Sequence, residues 1–410
     1  MSLMKINHKI SDTLSQMEEE GRLKGKERII EKVIPPQYGK GYRFGIVGYP
    51  GREFLKMDSN SYLGLNFNEE MMRAEHDASK NFGVGPGAVR FIDGTFTPHI
   101  ELEKALANFH NKEACQIFSS AYSAVCGVLA PLVNDKTYVV SDELNHNCII
   151  NSLRLAKIPR DRKLIYPHLD YEKLKEHVLY AVKQSELGNC DRVIIVTDGI
   201  FSMRGDFADL LKIDAIAYDY DEHFSEGIIT VVDDSHGVAA YGETGRGTTE
   251  VTKVNPDILI GTLGKGFGVN GGYVASSSLI IKYLRETSPF YIYSNPITAG
   301  EAAAALKAVE IVDNNPEILN KLRENTEFFK EGVKELGFDI IPGIHPIVAM
   351  LVKDTKKTKE IVRFLFDNNI LAIGLGYPIV PRGHETIRFQ VSAAHTREDL
   401  QKVLDVLKRC

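Results

Sequence analysis

DILIGTLGKGFGVNGGYVA occupies residues 257–275. An apolar run, Ile258 to Ile260, enters Gly-Thr-Leu-Gly-Lys-Gly, and a second run, Tyr273 to Ala275, follows a Gly-Gly pair. One lysine, Lys265, therefore falls on a glycine-lined loop between two buried strands. Lysine is rarely buried without a partner. Glycines on both sides let another molecule come close to the backbone. Two readings stand: a lysine that forms a Schiff base with a carbonyl, such as an aldehyde cofactor, or an exposed lysine in a flexible turn.

A second stretch weighs on that choice. Ile228 to Val232 is a continuous run rich in β-branched residues, and Asp233-Asp234-Ser235-His236-Gly237 follows at its end. Acids and a histidine at the carboxyl end of a buried strand lie where open α/β sheets bind ligands. One carboxylate there can keep a pyridine nitrogen protonated. Aspartate at one strand end, lysine on the next loop and no phosphate-binding P-loop point together to pyridoxal phosphate (PLP). A solvated acidic turn accounts for the aspartates but not for the set.

Composition narrows the class. The 410 residues suffice for a large domain and a smaller one. Hydrophobic residues make up 43% and charged residues 25%, ordinary values for a globular protein. A net charge of −6 gives no electrostatic case for nucleic acid or an anionic membrane. The apolar runs are too short to span a bilayer, and MSLMKINHKI has no apolar signal core. The five scattered cysteines, Cys115, Cys126, Cys148, Cys190 and Cys410, read as reduced thiols rather than disulfides or metal ligands. A cytoplasmic protein with no metal site is expected.

The rest of the chain supplies candidates. Residues 8 to 33 read as a helical arm ended by Pro35-Pro36, and Gly41 to Asp58 as a hairpin around Pro50-Gly51. In SNSYLGL, Asn60 either reaches a ligand or belongs to a turn. GVGPGAVRFIDGT, residues 83 to 95, lacks the lysine of a P-loop and reads as an irregular loop. Cys115 to Ser119 is a strand, and Ser120-Ala121-Tyr122 opens a helix whose free N–H groups suit a phosphate. His146 follows the strand Tyr138 to Val140, where an imidazole either stacks on a flat ring or is structural. Lys157 to Leu187 reads as mostly helical linker. Arg192 to Thr197 is a buried strand followed by DGIFSMRGD, which carries Ser202. Strands alternating with helices through residues 115–275 predict an α/β fold with a mainly parallel sheet. Helices over 301–312 and 316–336, with strands 345–352 and 387–391, predict a smaller C-terminal α+β domain. Arg388 interrupts an apolar pattern, either gripping a carboxylate or sitting on a wet edge strand. The expected division is an arm, 1–57, a large domain, 58–297, and a small domain, 298–410.

The strings SNSYLGL, LNHNCII, TDGIFSMRGD, VVDDSHG, GTLGKGFG and IRFQVSAAHT resemble, in order and over nearly the whole chain, the α-oxoamine synthases, PLP enzymes of fold type I. EGRLKGKERII, VRFIDGT, YSN, GLGYPIVPRG and SAAHT are similar to the glycine C-acetyltransferase branch. GKGFGVNGG looks more like the 8-amino-7-oxononanoate synthase branch, and a serine palmitoyltransferase-like enzyme is a further alternative. The resemblance implies that Lys265 holds PLP covalently and moves the substrate α-proton. It implies that Asp233 pairs the pyridine nitrogen, that Ser202 and His236 bind the ring hydroxyl oxygen with Ser235 beside them, and that His146 stacks on the ring. Main-chain N–H groups of Ala121 and Tyr122, with Thr262, would hold the phosphate. Ser294 and Asn295 would complete the phosphate site of a second subunit, making a homodimer with a shared site. Asn60 and Arg388 would bind the amino-acid carboxylate. The expected activity condenses glycine with acetyl-CoA. Alanine with pimeloyl-CoA, serine with a long acyl-CoA, and an inactive partner subunit are the alternatives. Ala121-Tyr122 and Asp93 depart from the family pattern, the latter in the region of the acyl pocket.

Overall fold

The computed structural model describes residues 2–23, 25–377 and 380–410. Its centre is a seven-stranded sheet in the order β4-β10-β9-β8-β7-β5-β6. The strands are β4 (Ala114–Phe118), β5 (Thr137–Asp142), β6 (Lys163–Tyr166), β7 (Arg192–Asp198), β8 (Ile228–Asp233), β9 (Ile258–Thr262) and β10 (Gly272–Ser276). They follow β1 (Ile30–Ile34), β2 (Arg43–Ile46) and β3 (Leu55–Lys56) in the chain. Strands β5 to β9 are mutually parallel, and β10 runs antiparallel between β9 and β4.

The alternation of side chains along a strand explains why these runs are apolar throughout. On β7, Val193 and Ile195 face one core with Val140, Val232 and helices Tyr171–Glu186 and Leu210–Tyr220. Ile194 and Val196 face the other with Val139, Val231, Ile260 and helices Ala121–Leu132 and Asn147–Leu155. A sheet buried on both faces leaves only its strand ends open to a ligand, and the parallel strands end together at Asp142, Asp198, Asp233 and Thr262.

The C-terminal part carries a three-stranded antiparallel sheet, β11-β14-β13, made of β11 (Ile347–Leu351), β13 (Ile373–Leu375) and β14 (Thr386–Gln390). Helices Pro316–Glu335, Thr355–Asp367 and Arg397–Leu407 enclose a core of Phe329, Leu365, Phe389 and Leu404. β12 (Ile370–Leu371) pairs in parallel with β3, so Leu55 and Met57 join this core. Helix Ala299–Asn314 follows the expected boundary at 297, yet Ala302, Ala305 and Ala308 share a core with Leu102 and Leu106 of helix Thr97–Phe109.

Three expectations change. The N-terminal helix runs Ser2–Glu19 and stops before Gly21, whose φ is 66°. The apolar β-branched residues Ile30, Val33 and Ile34 then form β1 against β2 instead of continuing the helix. The Gly41–Asp58 hairpin exists only as a narrow bridge between Phe44 and Phe54, while β2 and β3 take their main partners elsewhere. The expected linker before Leu187 contains β6, a four-residue edge strand. No helix among the described residues is long and apolar enough to cross a membrane.

Ile194→Ala should lower stability by about 2–5 kcal/mol through lost burial and a cavity in the fully buried centre of the sheet. Thermal and urea denaturation would measure this; a change near zero would contradict the placement of β7 at the centre.

Candidate functional site

A small cleft opens at the carboxyl ends of β5, β7 and β8. Lys265 enters it from the loop after β9, and Asp233 from the end of β8. Ser235 fixes Asp233 by donating from N (3.1 Å) and Oγ (2.6 Å) to Oδ1. The other oxygen, Oδ2, lies 3.5 Å from Cys148 Sγ. Burial lowers the Lys265 amine from its ordinary pKa, while the carboxylates of Asp233 and Asp198 act in the opposite direction. The neighbouring acid of the DDSH run does different work. Asp234 is fully buried, accepts from Thr248 N and Oγ1 at 2.6 and 2.7 Å, and is pushed by burial up to about 7. It ties the turn to the chain behind it.

The glycines around Lys265 admit the chain's own backbone. A Cβ on Gly266 would meet the Ala239 carbonyl oxygen at 2.4 Å, and one on Gly268, whose φ is 74°, would meet Asn66 N at 2.5 Å. The lysine loop is wedged, not flexible.

Two histidines face the cleft in different states of fixation. His146 caps the helix Asn147–Leu155, with Nδ1 accepting from Cys148 N at 3.2 Å. Its ring stays exposed on the cleft side. Partial shelter lowers its pKa, against the pull of Asp233. His236 is buried and is held far below its ordinary pKa by that burial, and so is neutral. Its Nδ1 pairs with the Tyr62 hydroxyl at 2.7 Å. A phenol whose pKa is raised by burial donates here, which leaves Nε2 as the N–H of His236. The main-chain oxygen of His236 accepts from His345 Nε2 at 2.8 Å.

Ala121 and Tyr122 begin the helix Ala121–Leu132 and line the cleft. Ser120 Oγ accepts from Ser123 N at 3.1 Å, and the N–H groups before Ser123 are those that a helix start leaves for a ligand. Ser202 also lines the cleft. Its carbonyl accepts from Arg388 Nη1 at 2.6 Å, which brings Arg388 to the cleft's edge. The Gln390 amide lies 2.8 Å from Asn60 Oδ1 and, with its oxygen turned to the guanidinium, 2.9 Å from Arg388 Nη2. Asn60, Gln390 and Arg388 thus form one polar edge.

Besides Asn60 and Arg388 at the edge, three expected site residues, Thr262, Ser294 and Asn295, lie off the cleft wall. Thr262 is buried, with Oγ1 donating to the Gly271 oxygen and accepting from Gly264 N, each at 3.2 Å. It closes the base of the lysine loop. Ser294 and Asn295 follow the short helix Pro289–Ile292 and do not line this chain's cleft. Asp93 is exposed with a φ of 59°. In the same loop, Arg90 is buried and forked onto Glu103 at 3.0 and 3.1 Å, so the loop is anchored.

Asp198, Cys148, Gln390 and Tyr62 were not singled out as cleft or edge residues from the sequence. Asp198 pairs in register with Asp233, accepts from His146 N at 2.9 Å, and is raised well above the usual carboxylate range by burial and then by Asp233. The signal for it was the strand RVIIVT ending one residue earlier. Gln390 follows Arg388 by two positions on one strand, which the period of a strand puts on the same face.

An amine, an opposed carboxylate, an exposed imidazole face and an unpaired helix start around one cleft fit an aromatic aldehyde phosphate. Residues 52–407 match the family described as aminotransferase class I and II. The chain is 40% identical over 361 residues to an 8-amino-7-oxononanoate synthase of Petrotoga mobilis, covering 88% of each. It is 38% identical, again over 88% of each chain, to one of Thermosipho melanesiensis. A serine palmitoyltransferase from S. paucimobilis with a bound PLP–myriocin aldimine shares the fold, with a TM-score of 0.84 at 23% identity over 99% of this chain and 97% of that one. With PLP as its cofactor, this chain belongs to the aminotransferase class I and II family, among the α-oxoamine synthases.

Proposed function

We propose that the protein joins the α-carbon of a small amino acid to the acyl group of an acyl-CoA, with alanine and pimeloyl-CoA as substrates. The joint presence of the Lys265 amine and the Asp233 carboxylate at one cleft supports PLP-dependent activation of the amino acid's α-carbon, and the acyl-transfer half rests on the relatives. The relatives named 8-amino-7-oxononanoate synthase, at 40% and 38% identity, support this substrate pair over the expected glycine and acetyl-CoA. The glycine reading keeps one support, the likeness of EGRLKGKERII, VRFIDGT and GLGYPIVPRG to that branch.

In this reading Lys265 would hold PLP, Asp233 would pair with its ring nitrogen, and the helix start at Ala121 and Tyr122 would serve its phosphate, with Thr262 bracing the lysine loop from behind. His236 and Ser202 would serve the ring hydroxyl, and His146 would cover a ring face. When bound, PLP supplies an electron sink that makes the α-proton of an attached amino acid acidic. Arg388, backed by Gln390 and Asn60, holds the amino-acid carboxylate and so orients the α C–H bond. The Lys265 amine, lowered from its ordinary pKa by burial, takes that proton at Nζ. His236 keeps a single N–H available because Tyr62 occupies its other nitrogen. The new C–C bond forms at the thioester carbonyl and the CoA thiol departs; the 8-amino-7-oxononanoate product also requires loss of CO2. Ser294 and Asn295, away from their own chain's cleft, would serve the cleft of a second copy in a homodimer.

Purified protein titrated with alanine, glycine and serine, with CoA release followed in pimeloyl-, acetyl- and palmitoyl-CoA, tests the substrates. Alanine with pimeloyl-CoA should give the fastest release. Turnover only with glycine and acetyl-CoA would move the assignment to that branch, and no turnover with any pair would favour an inactive partner subunit.

Lys265→Ala should remove both turnover and the absorbance of the lysine-linked cofactor; retention of either would sink its role.

Arg388→Lys should raise KM for the amino acid by about 10- to 100-fold, the loss expected for one charged hydrogen bond of about 1.5–3 kcal/mol. KM for acyl-CoA should change little.

A further inference from the structure

Between the cleft and the outer sheet edge lies a charged cluster that the proposed chemistry does not use. His168 stands two residues beyond β6 with its side chain 13% exposed. Its Nδ1 lies 3.1 and 3.3 Å from the two carboxylate oxygens of Asp142, at the end of β5. Its Nε2 lies 3.3 Å from Asp206 Oδ2. Both ring nitrogens therefore face carboxylates, which only a doubly protonated imidazole satisfies with two donors. Its main-chain N–H donates to Glu143 Oε1 at 3.0 Å.

Asp206 belongs to the turn that carries Ser202. Ile200 and Phe207 close that turn as an isolated bridge. Phe201 N donates to the Asp206 oxygen at 3.0 Å, and Arg204 N and Gly205 N donate to the Phe201 oxygen at 3.1 and 2.8 Å. Phe201 meets the His168 ring edge to face at 4.4 Å between centroids. On the turn's other side, Arg388 holds the Ser202 carbonyl. The turn is thus clamped at one flank by His168 and at the other by Arg388.

We propose that His168 is a positioning residue that, through Asp206, fixes the 200–207 turn so that the Ser202 hydroxyl is presented to the cofactor and the Arg388 guanidinium, which the Ser202 carbonyl holds, to the amino acid. The functional half of this statement rests on the reading above; the mechanical half does not. His168 touches neither the cleft nor the reacting atoms.

The charges facing His168 are Asp142 from β5, Glu143 beside it through the main chain, and Asp206 and Arg204 from the turn. Arg204 Nε also donates to Asp206 Oδ2, at 2.6 Å. Burial alone would lower the imidazole pKa, but its bonds to Asp142 and Asp206 outweigh that and raise it to about 9. The sign follows. A histidine raised in the folded state contributes fully below its unfolded value, and the contribution is lost as pH rises through about 9. Neutral imidazole keeps one N–H; with that proton left on Nδ1 towards Asp142, the bond from Nε2 to Asp206 is lost, and Asp206 is left with Arg204 of its own turn, so the turn is released at that flank.

Amide hydrogen exchange of the PLP-loaded protein reads this directly. Protection at Phe201, Arg204 and Gly205, corrected for intrinsic rates, should fall by about ten- to a hundredfold as pH rises through the His168 transition. His168→Gln, which cannot bridge two carboxylates, should show the low protection at neutral pH and no such step. The same variant should raise KM for the amino acid while leaving kcat nearly unchanged, and KM should lose its alkaline rise. Wild-type protection that stays flat across this range would overturn the clamp, with no variant needed. Exchange that behaves as expected while KM does not move would overturn the link to substrate positioning. A wild-type protein that responds to no amino acid would instead reject the functional reading, and the exchange data would still judge the clamp.

Discussion

Two buried carboxylates stand side by side at the ends of neighbouring parallel strands, Asp198 on β7 and Asp233 on β8. Like charges so placed and removed from water repel, and burial drives Asp198 well above the usual carboxylate range. Lys265 lines the same cleft, and both carboxylates favour its charged form against the effect of burial. The sheet dictates this arrangement. Parallel strands end in step, their flanks are sealed by helices, and polar groups at their ends have only one another and the cleft to face.

The groups around that pair are held by others that never reach the cleft wall. Lys330 Nζ donates to the carbonyls of Gly343 and His345 at 2.6 and 2.7 Å. His345 then donates to the main chain of His236, whose ring is fixed by Tyr62. A helix of the C-terminal part, the DDSH turn and the SNSYLGL segment thereby meet at one imidazole. Burial lowers Lys330 to about 8 and His345 to about 3, so the C-terminal part of this chain of bonds contains an amine close to losing its charge and a histidine that stays neutral.

How much of this was legible depended on distance along the chain. Lys265, Asp233, His236 and His146 each follow an apolar run, and that local pattern alone places them at strand ends. Asp198 follows such a run too, but Asp-Gly reads as a turn and hid the carboxylate. β6 was missed because Lys163–Tyr166 is short, at the sheet edge and largely part-exposed, so it lacks the continuous apolar signature of its neighbours. Long-range pairings left no local trace. Gln390 meets Asn60 across 330 residues, and His168 meets Asp142 and Asp206 across 26 and 38. The glycines near Lys265 were legible as a need for close approach, but the partner proved to be the chain's own backbone at Ala239 and Asn66.

That last packing bears on how the amine moves. With Gly266 and Gly268 pressed against neighbouring backbone, any hinge at the lysine's Cα would drive main chain into main chain. In the proposed reaction, displacement of Nζ between holding a carbonyl and taking a proton would therefore fall to the rotations of its four methylenes. The backbone works as a fixed mount and the side chain as a short tether. The reach of that proposed proton transfer would then be set by rotamers of one residue, and its timescale by side-chain motion rather than by loop opening.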